Sequence, residues 1–219
     1  FGVSKLNLHA FIISLGTQLI AYGACCIYID SQKGGAQPLA SLDSGFTRVV
    51  NGSIVLGKIG RDTLEIPYLV IYFAICALIM WVVWNKTTLG KNMFAIGGNK
   101  EAAAVSGVNI TRAIMGVYLI AGVLYGIASF LEAGRVGSVT TATGLNYDLD
   151  AISACVIGGV SFSGGVGTIP GVIIGVIILQ MINYALIYLG VKAYLQYIIK
   201  GLIIILAVSI DVRKYLVRK

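Results

Sequence analysis

AISACVIGGVSFSGGVGTIPGVIIGVIILQMINYALIYLGV, residues 151–191, holds 41 positions without one charged side chain. As a helix it would reach about 60 Å at about 1.5 Å per residue, roughly twice the hydrocarbon thickness of a bilayer. The run Gly164-Gly165-Val166-Gly167-Thr168-Ile169-Pro170 interrupts it. It therefore reads as two crossings, a short one over 151–165 and a full one over 169–189. The short one would be about 22 Å long, which predicts a tilted or broken helix.

The same reading extends outward. Further charge-poor spans fall at 194–210, 113–131, 68–84 and 10–29, separated by polar segments at 30–66 and 85–112. Pro67 opens the second span, where a proline is tolerated at a helix start. Trp81 and Trp84 close it at the depth where aromatic belts form. The chain is 58% hydrophobic and 11% charged, with a mean hydropathy of +0.90. Soluble domains carry about a quarter charged residues, so a water-soluble core is excluded. The expected fold is all-α: a polytopic transmembrane helix bundle of about six spans forming one membrane domain over residues 1–219. The chain opens on Phe1 with no signal-peptide pattern and reads as a fragment lacking its N-terminal part. Cys25, Cys26, Cys76 and Cys155 lie in apolar segments, where a thiol acts as a small hydrophobe.

Charge sets the sidedness. With 85–112 placed in the cytoplasm, alternation puts Lys5, Lys86, Lys91, Lys100, Arg112, Arg213, Lys214, Arg218 and Lys219 inside, against Glu101 and Asp211. Outside lie six basic residues, Lys33, Arg48, Lys58, Arg61, Arg135 and Lys192, against seven acidic ones. This follows the positive-inside rule and requires 151–165 to cross fully. It also accounts for the pI of 9.3 without a nucleic-acid partner.

The inner segment NKTTLGKNMFAIGGNKEAAAVSGVNITR, residues 85–112, carries the strongest local signals. Gly97-Gly98 predicts a flexible turn and Asn99 a helix N-cap, with Glu101 in the first turn and Ala102–Ala104 as helix formers. Gly107 fits the position just past the helix end. A short surface helix over 100–106 results, readable as a docking element or as an ordinary connecting loop.

Two glycine-rich stretches imitate phosphate loops. GGVSFSGGVG (158–167) lacks the Gly-Lys-Ser/Thr ending, and GSIVLGKI (52–59) has Ile where the magnesium-binding hydroxyl belongs. The spacings Gly122-x-x-x-Gly126, Gly167-x-x-x-Gly171 and Gly171-x-x-x-Gly175 instead suit close helix packing in lipid.

Lys200 is the one clear charge inside a span, about a third of the way in from the outer face. An ionisable group there lines a pathway, snorkels, or pairs with Glu132, Asp148 or Asp150. Gln180 and Asn183, three apart on one helix face, and Glu132 with Arg135 complete the candidates for lining a translocation pathway. Ser14, Thr17 and Gln18 are polar residues of the same kind. Asp148 and Asp150 read as caps of the helix starting near Ala151. His9 is the only histidine, so no histidine cluster for a metal or a nucleophile relay can be built. No catalytic or metal-binding residues are expected. Carboxylates are missing from the expected span centres, which speaks against an ion-coupled secondary carrier, the alternative reading.

Five stretches carry a resemblance: AFIISLGT (10–17), WNKTTLGKNMFAIGGNKEAAAVSGVNITR (84–112), LEAGRVGS (131–138), YDLDAISACVIGGVSFSGGVGT (147–168) and YLQYIIKGLIIILAV (194–208). Together they resemble permease subunits of bacterial ABC importers for monosaccharides, the ribose, xylose and galactose group, with the galactoside branch nearest. The resemblance covers nearly the whole chain. It implies the C-terminal two-thirds of a subunit of about ten spans in the bacterial inner membrane, C-terminus in the cytoplasm. It implies a second permease subunit, a periplasmic sugar-binding protein and an ATP-binding subunit that holds ATP and Mg, with no cofactor on this chain. Gly97, Gly98, Asn99, Glu101, Ala102, Ala103, Ser106 and Gly107 match the family's cytoplasmic loop that meets the ATPase.

Overall fold

The computed structural model describes residues 2–3, 10–31, 39–40, 42–59 and 62–216. His9, Lys5, Lys33, Arg61, Arg218 and Lys219 lie outside them. The elements are α1 (Ala10–Asp30), β1 (Leu39–Ala40), α2 (Ser44–Asn51), β2 (Ser53–Ile59), β3 (Asp62–Pro67), α3 (Tyr68–Lys86), α4 (Thr88–Gly98), α5 (Lys100–Val105), α6 (Ile110–Val136), β4 (Ser138–Val139), α7 (Tyr147–Ile157), α8 (Ile169–Tyr188) and α9 (Ala193–Leu216). Helices α1, α3, α6 and α8 are long and apolar enough to cross a membrane, and α9 carries a shorter apolar stretch, Ala193–Leu206. Large apolar side chains such as Leu19, Phe73, Leu119 and Ile174 are exposed on these helices, as expected where hydrocarbon rather than water is the solvent. The helical membrane architecture read from the sequence is the one observed.

The chain divides into two compact units, residues 1–80 with 111–143 and residues 81–110 with 144–219. In the first, Asp43 caps α2 by accepting from the Gly45 N–H at 3.0 Å. Val50, fully buried, fills the space left by Gly134 on α6, and Asn51 Nδ2 donates to the Gly134 carbonyl at 2.9 Å. Phe46 meets Phe130 edge-on at 4.7 Å, and the Tyr72 hydroxyl donates to the Val49 carbonyl at 3.0 Å. The polar segment 30–66 thus contains a helix tied to α3 and α6. It also contains the antiparallel hairpin β2–β3, paired from Ser53↔Pro67 to Ile59↔Asp62 with an irregularity between Val55 and Gly57. Ser53–Ile59, the nearer of the two phosphate-loop imitations, is strand β2 and opens no helix.

The second unit corrects the short crossing. The helix expected over 151–165 is α7, Tyr147–Ile157, eleven residues and about 16 Å long. It stops at Gly158, not at Gly164-Gly165. Gly159 takes φ +81°, its N–H donates to the Val156 carbonyl, and the Val160 N–H donates to the Cys155 carbonyl, both at 2.9 Å. This is the six-to-one and five-to-two pairing that closes a helix over a left-handed glycine. α7 then packs antiparallel on α8, main chain to main chain: a Cβ on Gly175 would stand 2.7 Å from Gly158 N, and one on Gly158 would stand 2.7 Å from the Gly171 carbonyl carbon. Ala154 and Leu179, each 2% exposed, lie in this seam. A Cβ added at Gly122 or Gly126 would meet nothing within 4 Å among the described residues, whereas the same spacing in α8 lies against α7.

Candidate functional site

Asn99 stands between α4 and α5 and serves both. Its N–H donates to the Ala95 carbonyl at 3.0 Å, ending α4, and its side-chain oxygen accepts from the Ala102 N–H at 3.0 Å, starting α5. Glu101 occupies the first turn, where the helix dipole favours an acid. At the far end Ser106 is the C-cap and Gly107 takes φ +82°. The Gly107 N–H donates to the Ala104 carbonyl at 3.0 Å and the Val108 N–H to the Ala103 carbonyl at 3.1 Å, again closing the helix over glycine. Both ends of this six-residue helix are fixed by side chains and a glycine that the local sequence supplies.

Only Ala103 of α5 faces inward, at 4% exposure, while Glu101, Ala102, Ala104, Val105 and Ser106 are exposed. Val105, 91% exposed, is the member that sequence reasoning missed. Its signal was an aliphatic side chain one residue before the C-cap of a helix whose inward face is alanine. Asn99→Ala is expected to weaken α5 by about 1 kcal/mol, the usual cost of losing such a cap. The check is hydrogen exchange: amides of 102–105 should lose roughly fivefold protection, and Asn99→Asp should retain it.

The expected flexible turn at Gly97-Gly98 is corrected. Both residues are the helical end of α4, which begins where the Thr87 hydroxyl accepts from the Gly90 N–H at 3.2 Å. Glycine is needed at 97 for another reason: a Cβ there would crowd the backbone of Gly164 and Gly165 in the loop between α7 and α8.

Lys200 neither snorkels nor stands alone. Its ammonium donates to both carboxylate oxygens of Asp150, at 2.8 and 3.1 Å, joining α9 to α7, with both side chains about three-quarters buried. Asp150 is therefore no helix cap. The helix starts at Tyr147 behind Asn146, which takes φ 68° and makes no side-chain cap bond, and Asp148 and Asp150 fall in its first turn. The facing pairs Gly158/Gly171 and Ala154/Gly175 set the register. Asp150 is neutralised by a lysine from α9.

The remaining pathway candidates separate. Gln180 is exposed, whereas the Asn183 side-chain oxygen is shut off from solvent and has no hydrogen-bond partner among the described residues. Glu132 and Arg135, in the other compact unit, form a bidentate pair at 2.7 and 2.8 Å along α6, the i,i+3 contact a helix surface allows. Thr17 turns its hydroxyl back to the Ile13 carbonyl at 2.8 Å.

The sequence of residues 1–208 matches the family described as branched-chain amino acid transport system / permease component. Over 217 residues the chain is 51% identical to the galactose/methyl galactoside import permease protein of Haemophilus influenzae and 50% identical to that of Escherichia coli, covering 99% of this chain and 62% of each relative. It is 35% identical over 212 residues to the ribose import permease protein of Bacillus subtilis, covering 97% of this chain and 62% of the relative. The chain thus spans somewhat under two-thirds of the length of each of these relatives. No solved structure matches it. The resemblance carried by the 84–112 and 147–168 blocks is borne out by these matches, and the chain belongs to this permease family of transport systems.

Proposed function

We propose that the chain is the membrane-spanning part of a pore subunit in an ATP-driven importer of galactose, methyl galactosides or a closely related monosaccharide. The observation that carries this reading is the 50% identity to galactose/methyl galactoside import permeases across 99% of the chain. The pore itself hydrolyses nothing. ATP and Mg sit on a separate ATP-binding subunit, a periplasmic sugar-binding protein delivers the sugar, and a second permease subunit completes the pathway in the bacterial inner membrane.

Energy enters at α5. Its capped, outward-facing surface of Glu101, Ala102, Ala104, Val105 and Ser106 suits a docking element, and differential contacts in the ATP-bound and free states supply the coupling that drives alternating access. The cytoplasmic placement of α5, with the C-terminus on the same side, rests on the basic residues of that face. The approach of Gly97 to Gly165 supports it: two segments that alternation assigns to one side lie together.

The test is uptake of labelled galactose, methyl galactoside and ribose by the reconstituted complex with its binding protein. Uptake should require ATP hydrolysis and favour the galactosides. Uptake that an uncoupler abolishes at constant ATP would overturn the reading in favour of an ion-coupled carrier. In the same complex, cysteine at Ser106 (Ser106→Cys) should crosslink to the ATP-binding subunit.

A further inference from the structure

Two pairs of glycines meet main chain to main chain where α4 ends and the 158–168 loop turns. A Cβ added at Gly97 would lie 2.5 Å from Gly165 N, one at Gly164 would lie 2.6 Å from the Gly97 oxygen, and one at Gly165 would lie 2.8 Å from Gly98 N. Every one of these neighbours is backbone, so no rotamer change can make room. Gly164 and Gly165 also hold φ of +91° and +71°, which glycine alone adopts without cost.

The loop they belong to is held by its own hydrogen bonds. The Ser161 N–H donates to the Val166 carbonyl at 3.0 Å, the Gly164 N–H to the Ser161 carbonyl at 3.2 Å, and the Ser163 N–H to the Ser161 hydroxyl at 3.2 Å, with Ser161 only 8% exposed. At one end the loop joins α7 and at the other α8, two helices packed through Gly158, Gly171 and Gly175. The Thr168 hydroxyl accepts from the Gly171 N–H at 3.2 Å and fixes the entry to α8.

We infer that this glycine joint carries displacement of the α4–α5 element into the α7–α8 pair. The inference rests on the coupling role proposed for α5 and adds the residues through which the movement travels. A side-chain contact would absorb a shift of an ångström by changing rotamer. Main chain against main chain at this distance has no such freedom, so the loop follows the end of α4. α9 follows in turn through the Lys200–Asp150 pair.

In the reconstituted complex Gly97→Ala is expected to lower uptake roughly tenfold, within the range over which coupling contacts act, while ATP hydrolysis stays within about twofold. Parental uptake by Gly97→Ala overturns the inference. Should Gly97→Ala fail to assemble, hydrogen exchange on the unaltered complex, with and without nucleotide, decides. Amides of 158–168 should change together with those of 95–107. Change confined to 95–107 overturns the joint and leaves the role of α5 standing, and change in neither segment overturns both.

Discussion

Lys200→Met should sharply reduce the folded protein recovered from membranes, and adding Asp150→Asn should restore most of it. The single substitution leaves a carboxylate three-quarters buried between α7 and α9 without its counter-charge. Removing one member of a buried pair typically costs about 3–5 kcal/mol. The partial exposure of both side chains places this one near about 3 kcal/mol, still a large share of the roughly 5–15 kcal/mol that holds a domain together. Replacing both members by neutral groups of similar shape removes the desolvation penalty along with the attraction, so the double variant should recover. Thermal unfolding of the detergent-solubilised protein measures the difference. Parental stability of Lys200→Met would mean that the pair does not tie α9 to α7. A double variant that is stable yet takes up no sugar would give the pair a second role in the pathway.

What the sequence made legible was local. The cap at Asn99, the acid at Glu101 and the glycine at Gly107 all act within one turn of the helix they bound, so α5 could be placed to within one residue of its observed end. The end of α7 could not. Gly158-Gly159 and Gly164-Gly165 are equivalent as helix breakers, and what selects the first is contact with Gly171 and Gly175 on another helix. The helical state of Gly97-Gly98 likewise reflects a partner about 67 residues away. Glu132 and Arg135 could have been paired from their spacing alone, whereas Lys200 had three acids to choose from and only packing brings Asp150 within 3.1 Å. The β2–β3 hairpin went unread because its strands lie in a segment judged by polarity. The β-branched and aliphatic run SIVL facing TLEI was the signal for it.

Gly175→Ala should destabilise the protein strongly, whereas Gly122→Ala should not, although both glycines sit in transmembrane helices at the same four-residue spacing. A methyl at Gly175 would fall 2.7 Å from Gly158 N, 2.9 Å from Gly158 Cα, and closer still to the Ala154 carbonyl oxygen. All three are backbone atoms, so α7 and α8 must move apart, loosening Ser153, Ala154 and Leu179, each 2% exposed. Overpacking of this kind costs about 1–3 kcal/mol when side chains can adjust, and with main chain on both sides the upper end applies. At Gly122 a methyl meets nothing within 4 Å among the described residues, so alanine contributes its better helix propensity, about 0.5–1 kcal/mol in favour of the folded state. The two variants should therefore shift the unfolding midpoint in opposite directions. Equal midpoints would mean that α7 and α8 are not in main-chain contact. If Gly122→Ala instead weakened the assembled complex while leaving the isolated subunit intact, the open face of α6 would be marked as packed against another subunit. Close approach of helices in lipid depends on which glycine has a neighbour, and that pairing is set by the fold.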